Sequence, residues 1–408
     1  MSQSLTISKL SQPLNPTVPL TSSKSESNRA LLINTLGGNL STLSNLSTAR
    51  DTKTMKSLLE SEDYELDVLD AGTVMRFMTA YLALGAKKRK ITGTPRMQKR
   101  PIKILAEALN ELGAHVTYEN EEGYPPLIFT PFETQKSAEL TVPGNISSQY
   151  ISALLMIAPT LPNGLKINLE GEIYSRPYIE MTLNLMKHFG VAGTFEDKTI
   201  SVGNQKYSAN NYTIESDWSG ASYWFSMVAL ADSAEVTLTG LREKSNQGDR
   251  AIVEIMDGLG VHTEFIENGI KLTKKDHKDH LTIDFKSCPD LGQTVFACAA
   301  AKGVSLEMTG LESLRIKESD RTTAMATELA KIGAELKETK PGTWVLTPST
   351  TIDDVTHVSF DTYDDHRMAM ALAPLAAVVD ATIHEPEVVV KSYPEYWDHM
   401  KTAGFEIK

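Results

Sequence analysis

The residues of this chain best suited to chemistry are cations and carboxylates set in short polar turns. Lys24 and Arg29 lie in SKSESNRALL, Arg76 in DAGTVMRF, and Arg96, Lys99 and Arg100 in TGTPRMQKRPI. Arg176 follows in SRPYIE, Lys317 and Arg321 in LRIKESDR, Arg367 in TYDDHRM and Lys391 in VVVKSYPEYW. Each run is flanked by Gly, Pro or Ser or stands just before a helix, whereas charges needed only for solvation would spread along exposed helix faces. In a chain of net charge −12, this placement implies cations focused on an anionic ligand. Two carboxylates lie among them: Glu318, beside Lys317 and close to Arg321, and Asp290, just ahead of an apolar helix. By residue type alone they read either as a salt-bridge cluster plus an N-cap or as an acid–base pair beside an anion.

The elements that must position these groups recur along the chain. A loop of small polar residues opening onto an apolar helix appears around Ser25, Gly72, Ser147, Ser219, Gly292 and Asp365, at intervals of 47, 75, 72, 73 and 73 residues. A helix N-terminus offers unpaired N–H groups and partial positive charge, and small residues let a phosphate or carboxylate approach them. Read singly, each loop is first of all a helix cap. A second recurring element is an amphipathic helix stopped by glycine, at Gly113, Gly190, Gly260, Gly333 and Gly404. Glycine directly after the last apolar residue is the expected left-handed stop. TMKSLLESEDYEL, in the first unit, is shorter and lacks that glycine. Short β-prone runs such as AELTVPG, LKINLEG, AEVTLTG, VSLEMTG and ATIHEPE separate the helices. An α/β unit of about seventy residues, repeated six times, accounts for the chain.

Composition removes several alternatives. With 408 residues, 41% hydrophobic and 23% charged, the chain can fill more than one core. Its acidity argues against nucleic-acid and membrane-surface binding, which need basic patches. Cys288 and Cys298 match no zinc or redox spacing and read as buried small residues, and the nine histidines form no metal motif. MSQSLTISKLSQPLN lacks an apolar signal core and no apolar run is long enough to span a membrane, so a cytoplasmic location is expected.

The motif set KSESNRALL, DAGTVMR, TGTPRM with KRPI, SSQYISALLM, SRPYIEMTLNLMKHFG, RIKESDRTTAMATEL, DTYDDHRMAMALA and KSYPEYW closely resembles the 5-enolpyruvylshikimate-3-phosphate synthases, in their order and over Ser22 to Trp397. The resemblance implies an α/β, two-lobed enolpyruvyl-transferase fold with three βαβαββ repeats per lobe, an inside-out α/β barrel. It implies an N-terminal lobe of residues 19–215 and a C-terminal lobe of residues 1–18 and 216–408, with crossings near 18–21 and 214–217. The expected reaction moves the enolpyruvyl group of phosphoenolpyruvate to the 5-hydroxyl of shikimate 3-phosphate in a cleft between the lobes, releasing phosphate.

Carried over motif by motif, shikimate 3-phosphate falls to Lys24, Ser25, Arg29, Ser147, Ser148, Gln149, Ser175, Tyr178, Asp290, Ser313 and Lys317. Phosphoenolpyruvate falls to Lys24, Gly72, Arg96, Gln149, Arg321, Arg367 and Lys391. Lys24, Asp290 and Glu318 match the catalytic positions. No metal or organic cofactor is implied, a monomer is expected, and glyphosate, the family's inhibitor, is a candidate ligand. The chain departs from the family at four places: Thr21-Ser22 replaces Pro-Gly, Asp70 replaces Asn, Phe77 replaces Pro, and Ser313 stands where an amide or His is usual.

Related chemistries fit less well. UDP-N-acetylglucosamine enolpyruvyl transferases carry Cys or Asp in the loop matching TGTPRMQKRPI and Asn after the first Lys; here that loop has no Cys and Ser25 follows Lys24. RNA 3′-phosphate cyclases use related repeats but need a catalytic-His context absent here. A catalytically silent anion-binding protein on the same scaffold would lack Lys24, Asp290 or Glu318, and all three are present.

Overall fold

Two kinds of helix alternate along the chain in this computed structural model, which describes residues 4–350 and 352–408. Those residues form α1 (Lys24–Leu36), α2 (Arg50–Glu60), α3 (Gly72–Ala83), α4 (Lys103–Glu111), α5 (Ser148–Ile157) and α6 (Arg176–His188). They continue with α7 (Trp218–Leu230), α8 (Ile252–Gly258), α9 (Gly292–Lys302), α10 (Arg321–Ala330), α11 (His366–Leu372) and α12 (Tyr396–Thr402). The odd-numbered helices follow the small polar loops and are enclosed on nearly every side; α3, α5, α7 and α9 are accordingly apolar almost throughout, whereas α1 buries Glu26, Ser27, Asn28 and Arg29 as well. Every residue of α3 but Tyr81 is buried, every residue of α5 but Gln149, and every residue of α7 but Ser219. In α5 and α7 the exception lies in the first turn, so the core takes the body of the helix and leaves its N-terminus accessible.

The even-numbered helices are one-sided. α4 buries Leu105, Ala106, Ala108 and Leu109 and exposes Lys103, Glu107 and Asn110. Gly113, Gly190, Gly260, Gly333 and Gly404, after α4, α6, α8, α10 and α12, all adopt positive φ, the region that disfavours a Cβ. At Gly113 an added Cβ would also stand 2.3 Å from the Thr134 carbonyl oxygen. α2 instead ends at Ser61 in extended conformation.

The strands repeat one sheet order. Residues 65–67 pair parallel with 89–92, then antiparallel with 127–130, which pairs antiparallel with 115–118. The same order recurs in 139–143, 165–170, 199–202 and 193–196; in 17–19, 235–239, 269–274 and 261–266; and in 280–284, 305–309, 343–347 and 335–340. Each is a βαβαββ unit: a parallel pair crossed over by a buried helix, then a one-sided helix and an antiparallel hairpin. Two repeats are abbreviated. Residues 4–7 complete the sheet of 357–360 and 380–384, and residues 212–213 lie parallel to 43–44.

The chain divides into one unit running from Ser23 to Ile214 and another comprising the residues up to Ser22 and from Glu215 onward. Each has its own apolar core. Residues 19–22 and Glu215, expected in the N-terminal lobe, belong to the second unit. Pro19 ends a strand paired with 235–239, Ser22 bridges to Ser216, and the Glu215 carboxylate accepts from the Trp218 indole and the Ser245 hydroxyl. Residues 1–3 of the expected 1–18 segment lie outside the described residues. Among the described residues no helix is long and apolar enough to cross a membrane. Cys288 and Cys298 are buried, and burial pushes both thiols up to about 12, out of the reactive range.

Candidate functional site

In the unit containing α7 to α12, one buried arginine gathers three carboxylates. Arg321, at the first position of α10 and 2% exposed, donates from Nε to Asp365 Oδ2 at 2.7 Å and from Nη2 to Asp365 Oδ1 at 3.1 Å. Its Nη1 donates to Asp290 Oδ1 at 3.0 Å and Nη2 also to Glu318 Oε2 at 2.9 Å. Asp365 is the N-cap of α11 and accepts from the Arg367 backbone N–H and the Ser319 hydroxyl. Asp290 caps nothing: a 3₁₀ turn, Pro289–Leu291, precedes α9, whose N-cap residue is Leu291, so the carboxylate is left to the cations. Lys317 Nζ stands 3.5 Å from Asp290 Oδ1, and Lys391 Nζ, 2% exposed, 3.3 Å from Glu318 Oε1. Arg367 donates to the Asp290 carbonyl at 3.0 Å, to Asp290 Oδ2 at 3.3 Å and to Ser219 Oγ at 3.2 Å.

These contacts set the acid strengths. Burial alone would raise Asp290, but Arg367, Lys317 and Arg321 together hold it well below the usual carboxylate range. Arg321 is raised despite its burial by Asp365, Glu318 and Asp290. The Ser219 hydroxyl donates to Asp249, a buried carboxylate that burial pushes up to about 6 against the pull of Arg367. Asp249, in NQGDR, is a site residue that sequence reasoning missed; a single acid in a polar turn carries no signal of its partner.

Asp249 therefore makes a testable contribution to stability. Its folded-state pKa is above the ordinary Asp value near ~3.9, so the folded chain binds this proton more tightly and loses stability as pH climbs from about 4 to about 6. Asp249→Asn removes that dependence. Unfolding measured at about pH 4 and about pH 7 should show the variant gaining about 2–3 kcal/mol on the parent across that range. A pH-independent difference would contradict it.

The unit from Ser23 to Ile214 carries a second cluster, at the starts of α1, α3 and α5. Lys24 opens α1 and donates from Nζ to Asp51 Oδ2 at 3.1 Å; Asp51, 2% exposed, was also missed in the sequence. Ser25 beside it is half-buried. Gly72 opens α3 with no side-chain cap, and the Arg100 guanidinium lies directly against it: a Cβ at Gly72 would come within 2.7 Å of Arg100 Nη1. Arg76 holds this arrangement, donating to the Gly72 carbonyl at 3.3 Å and to the Pro101 carbonyl at 3.1 Å. Gln149 reaches the same helix end, donating to Thr73 Oγ1 at 3.2 Å, while Ser147 caps α5 and Ser148 is buried. Arg96 lies exposed on the loop that carries Arg100.

Other nominated residues stand differently. Arg29 is 2% exposed and donates to Thr182 Oγ1, Ser152 Oγ and the Ser25 carbonyl, with its guanidinium over the Phe77 ring; burial lowers it to about 10. It ties α1 to α5 and α6 from within. Arg176, grouped with the ligand cations by its turn, is exposed, pairs with Glu180 and stacks on Phe195. Ser175 precedes α6 in left-handed conformation, Tyr178 in its first turn is half-buried, and Ser313 is half-buried in the turn Glu312–Ile316.

The space at Gly72 gives a second prediction. Gly72→Ala should push the Arg100 guanidinium off the α3 N-terminus and raise the half-saturating concentration of an anion bound there about tenfold, a loss of ~1.4 kcal/mol, close to the lower end of what one charge-assisted hydrogen bond contributes. An unchanged value would place anion binding elsewhere.

Comparison with known proteins agrees with this architecture. Residues 56–400 match the family model described as EPSP synthase (3-phosphoshikimate 1-carboxyvinyltransferase). A 3-phosphoshikimate 1-carboxyvinyltransferase of Bacteroides fragilis is 48% identical over 399 residues, covering 97% of each chain. Its counterpart from Vibrio campbellii is 34% identical, covering 96% of this chain and 98% of that one. The EPSP synthase structure from Acinetobacter baumannii superposes with a TM-score of 0.79 at 20% identity over the full length of both chains, which speaks to the fold. With repeats, polar helix starts and relatives all in agreement, the chain belongs to the EPSP synthase family.

Proposed function

We propose that this chain transfers the enolpyruvyl group of phosphoenolpyruvate to the 5-hydroxyl of shikimate 3-phosphate by addition and elimination. The observation that carries the reading is the pair Asp290 and Glu318, bound to one buried arginine and flanked by Lys317, Arg367 and Lys391. Two phosphomonoesters and two carboxylates bring about six negative charges. Lys24, Arg29, Arg96, Lys317, Arg321, Arg367 and Lys391 supply cations in comparable number. Arg29, as buried as Arg321 and Lys391, also ties α1 to α5 and α6.

In this mechanism a proton is delivered to the phosphoenolpyruvate methylene while the 5-hydroxyl oxygen attacks the adjoining carbon and loses its own proton. The tetrahedral adduct then expels phosphate as a methyl proton is removed, restoring the double bond. Glu318, assisted by Lys24, handles the methylene proton, and Asp290 takes the hydroxyl proton. The depressed pKa of Asp290 in the substrate-free chain makes its carboxylate a weak base. Substrate phosphate and carboxylate drawn to Arg367 and Lys317 would relieve that depression, so the base strengthens only when both anions are bound. The cations then stabilise charge on the adduct and on departing phosphate. The same reading makes the chain a cytoplasmic monomer and glyphosate a ligand to test at the Gly72 end.

Phosphate release from phosphoenolpyruvate, with and without shikimate 3-phosphate, tests the proposal. Release that requires the sugar phosphate supports it; release that requires UDP-N-acetylglucosamine, or none with either, overturns it.

A further inference from the structure

The first turn of α2 touches no proposed substrate group, yet its two charged residues face the two ends that do. Asp51 holds Lys24. Its neighbour Arg50, the first residue of α2, donates from Nη2 to Asp70 Oδ1 at 2.6 Å. Asp70 immediately precedes Ala71, the N-cap residue of α3, and stands two residues before Gly72. The Arg50 side chain is 42% exposed and that of Asp70 is 20% exposed.

Each charge is poorly placed by itself. A carboxylate at the start of α3 satisfies that helix's dipole, but it repels any second anion approaching Gly72. A guanidinium at the first position of α2 opposes the positive end of its own helix. Together they remove both conflicts. The geometry points to Arg50 and Asp70 as a positioning pair: Arg50 masks the Asp70 carboxylate so that the α3 N-terminus stays open to the phosphate and carboxylate of phosphoenolpyruvate. The pair also ties the turn that holds Asp51 against Lys24 to the turn that presents Gly72. Without Arg50, the Asp70 carboxylate carries more uncompensated negative charge two residues before Gly72, against which the Arg100 guanidinium lies. This inference rests on the functional reading above, in which the Gly72 end receives phosphoenolpyruvate.

A charge cycle tests it, with KM for phosphoenolpyruvate and kcat read separately in the full chain. Arg50→Gln should raise that KM about five- to tenfold, the size expected of one unmasked like charge near a half-exposed site, and leave kcat within about twofold. Arg50→Gln with Asp70→Asn should bring KM back to within about threefold of the parent, and Arg50→Lys should stay near the parent. The rise in Arg50→Gln should also shrink as salt is added. A generic packing role would give losses that add rather than cancel. An unchanged KM in Arg50→Gln, or a double variant no better than the single one, overturns the inference and leaves the functional reading standing. A parent chain without shikimate 3-phosphate-dependent phosphate release overturns both. Should Arg50→Gln not fold, the exchanged pair Arg50→Asp with Asp70→Arg decides: KM at or below the parent's supports the inference, and a several-fold higher KM overturns it.

Discussion

Arg321→Met is expected to lower folding stability by about 3–5 kcal/mol, the usual consequence of removing one partner from a buried ionic network. Methionine keeps the unbranched stem and its packing, so the loss reports on charge and hydrogen bonding. Asp365, wholly buried, would keep the Ser319 hydroxyl and the Arg367 backbone N–H, with His366 Nδ1 3.6 Å from its Oδ1. Asp290 would keep Lys317 and Arg367, and Glu318 would keep Lys391, which bounds the effect from above. The pH dependence has a definite sign. Asp290 is held below the ordinary range partly by Arg321, so its stabilisation is present above about pH 4 and lost as pH falls further. The gap between parent and variant should therefore hold down to about pH 3.5 and narrow only at lower pH, as the depressed folded-state range of Asp290 is reached. Denaturant unfolding near neutral pH, near pH 3.5 and below it measures both; a loss below about 1 kcal/mol would place little of the network's energy in Arg321.

Glu318→Gln carries the largest expected effect on turnover. Glutamine is nearly isosteric, and its one carbonyl oxygen can keep the stronger contact, from Arg321, while the contact with Lys391 on the other carboxylate oxygen is lost, so most of the network and substrate binding should survive. What it cannot do is exchange a proton. Loss of positioned acid–base chemistry lowers kcat by about 10²–10⁴-fold. KM for phosphoenolpyruvate should stay level or fall, because removing one negative charge leaves Arg321 and Lys391 more attractive to an anion. Near-parental turnover with intact binding would remove Glu318 from proton transfer.

The outcome divides by range of interaction. Gly113, Gly190, Gly260, Gly333 and Gly404 announce helix ends because the left-handed stop is a property of one residue and its immediate neighbours. The apolar runs after Ser147 and Ser219 announce buried helices because a helix without a polar face must be enclosed. Motif order likewise placed Asp290, Glu318, Lys317, Arg367 and Lys391 in one candidate site, and within their unit these residues do meet around Arg321.

Partnership was a different matter. Which acid takes which cation depends on helix starts that only packing brings together, as Ser219, Asp249, Asp290 and Arg367 show. Arg29 and Arg176 look alike as cations in polar turns, yet one is enclosed among α1, α5 and α6 and the other lies on the surface. Residues 17–19 and 212–213 complete sheets begun far away in sequence, so the boundary at Ser22 could not be read from local composition. Backbone preference and periodicity act over a few residues and are written in the order of the amino acids. Burial, ion pairing and acid strength are sums over neighbours in space, and those neighbours exist only once the repeats have packed.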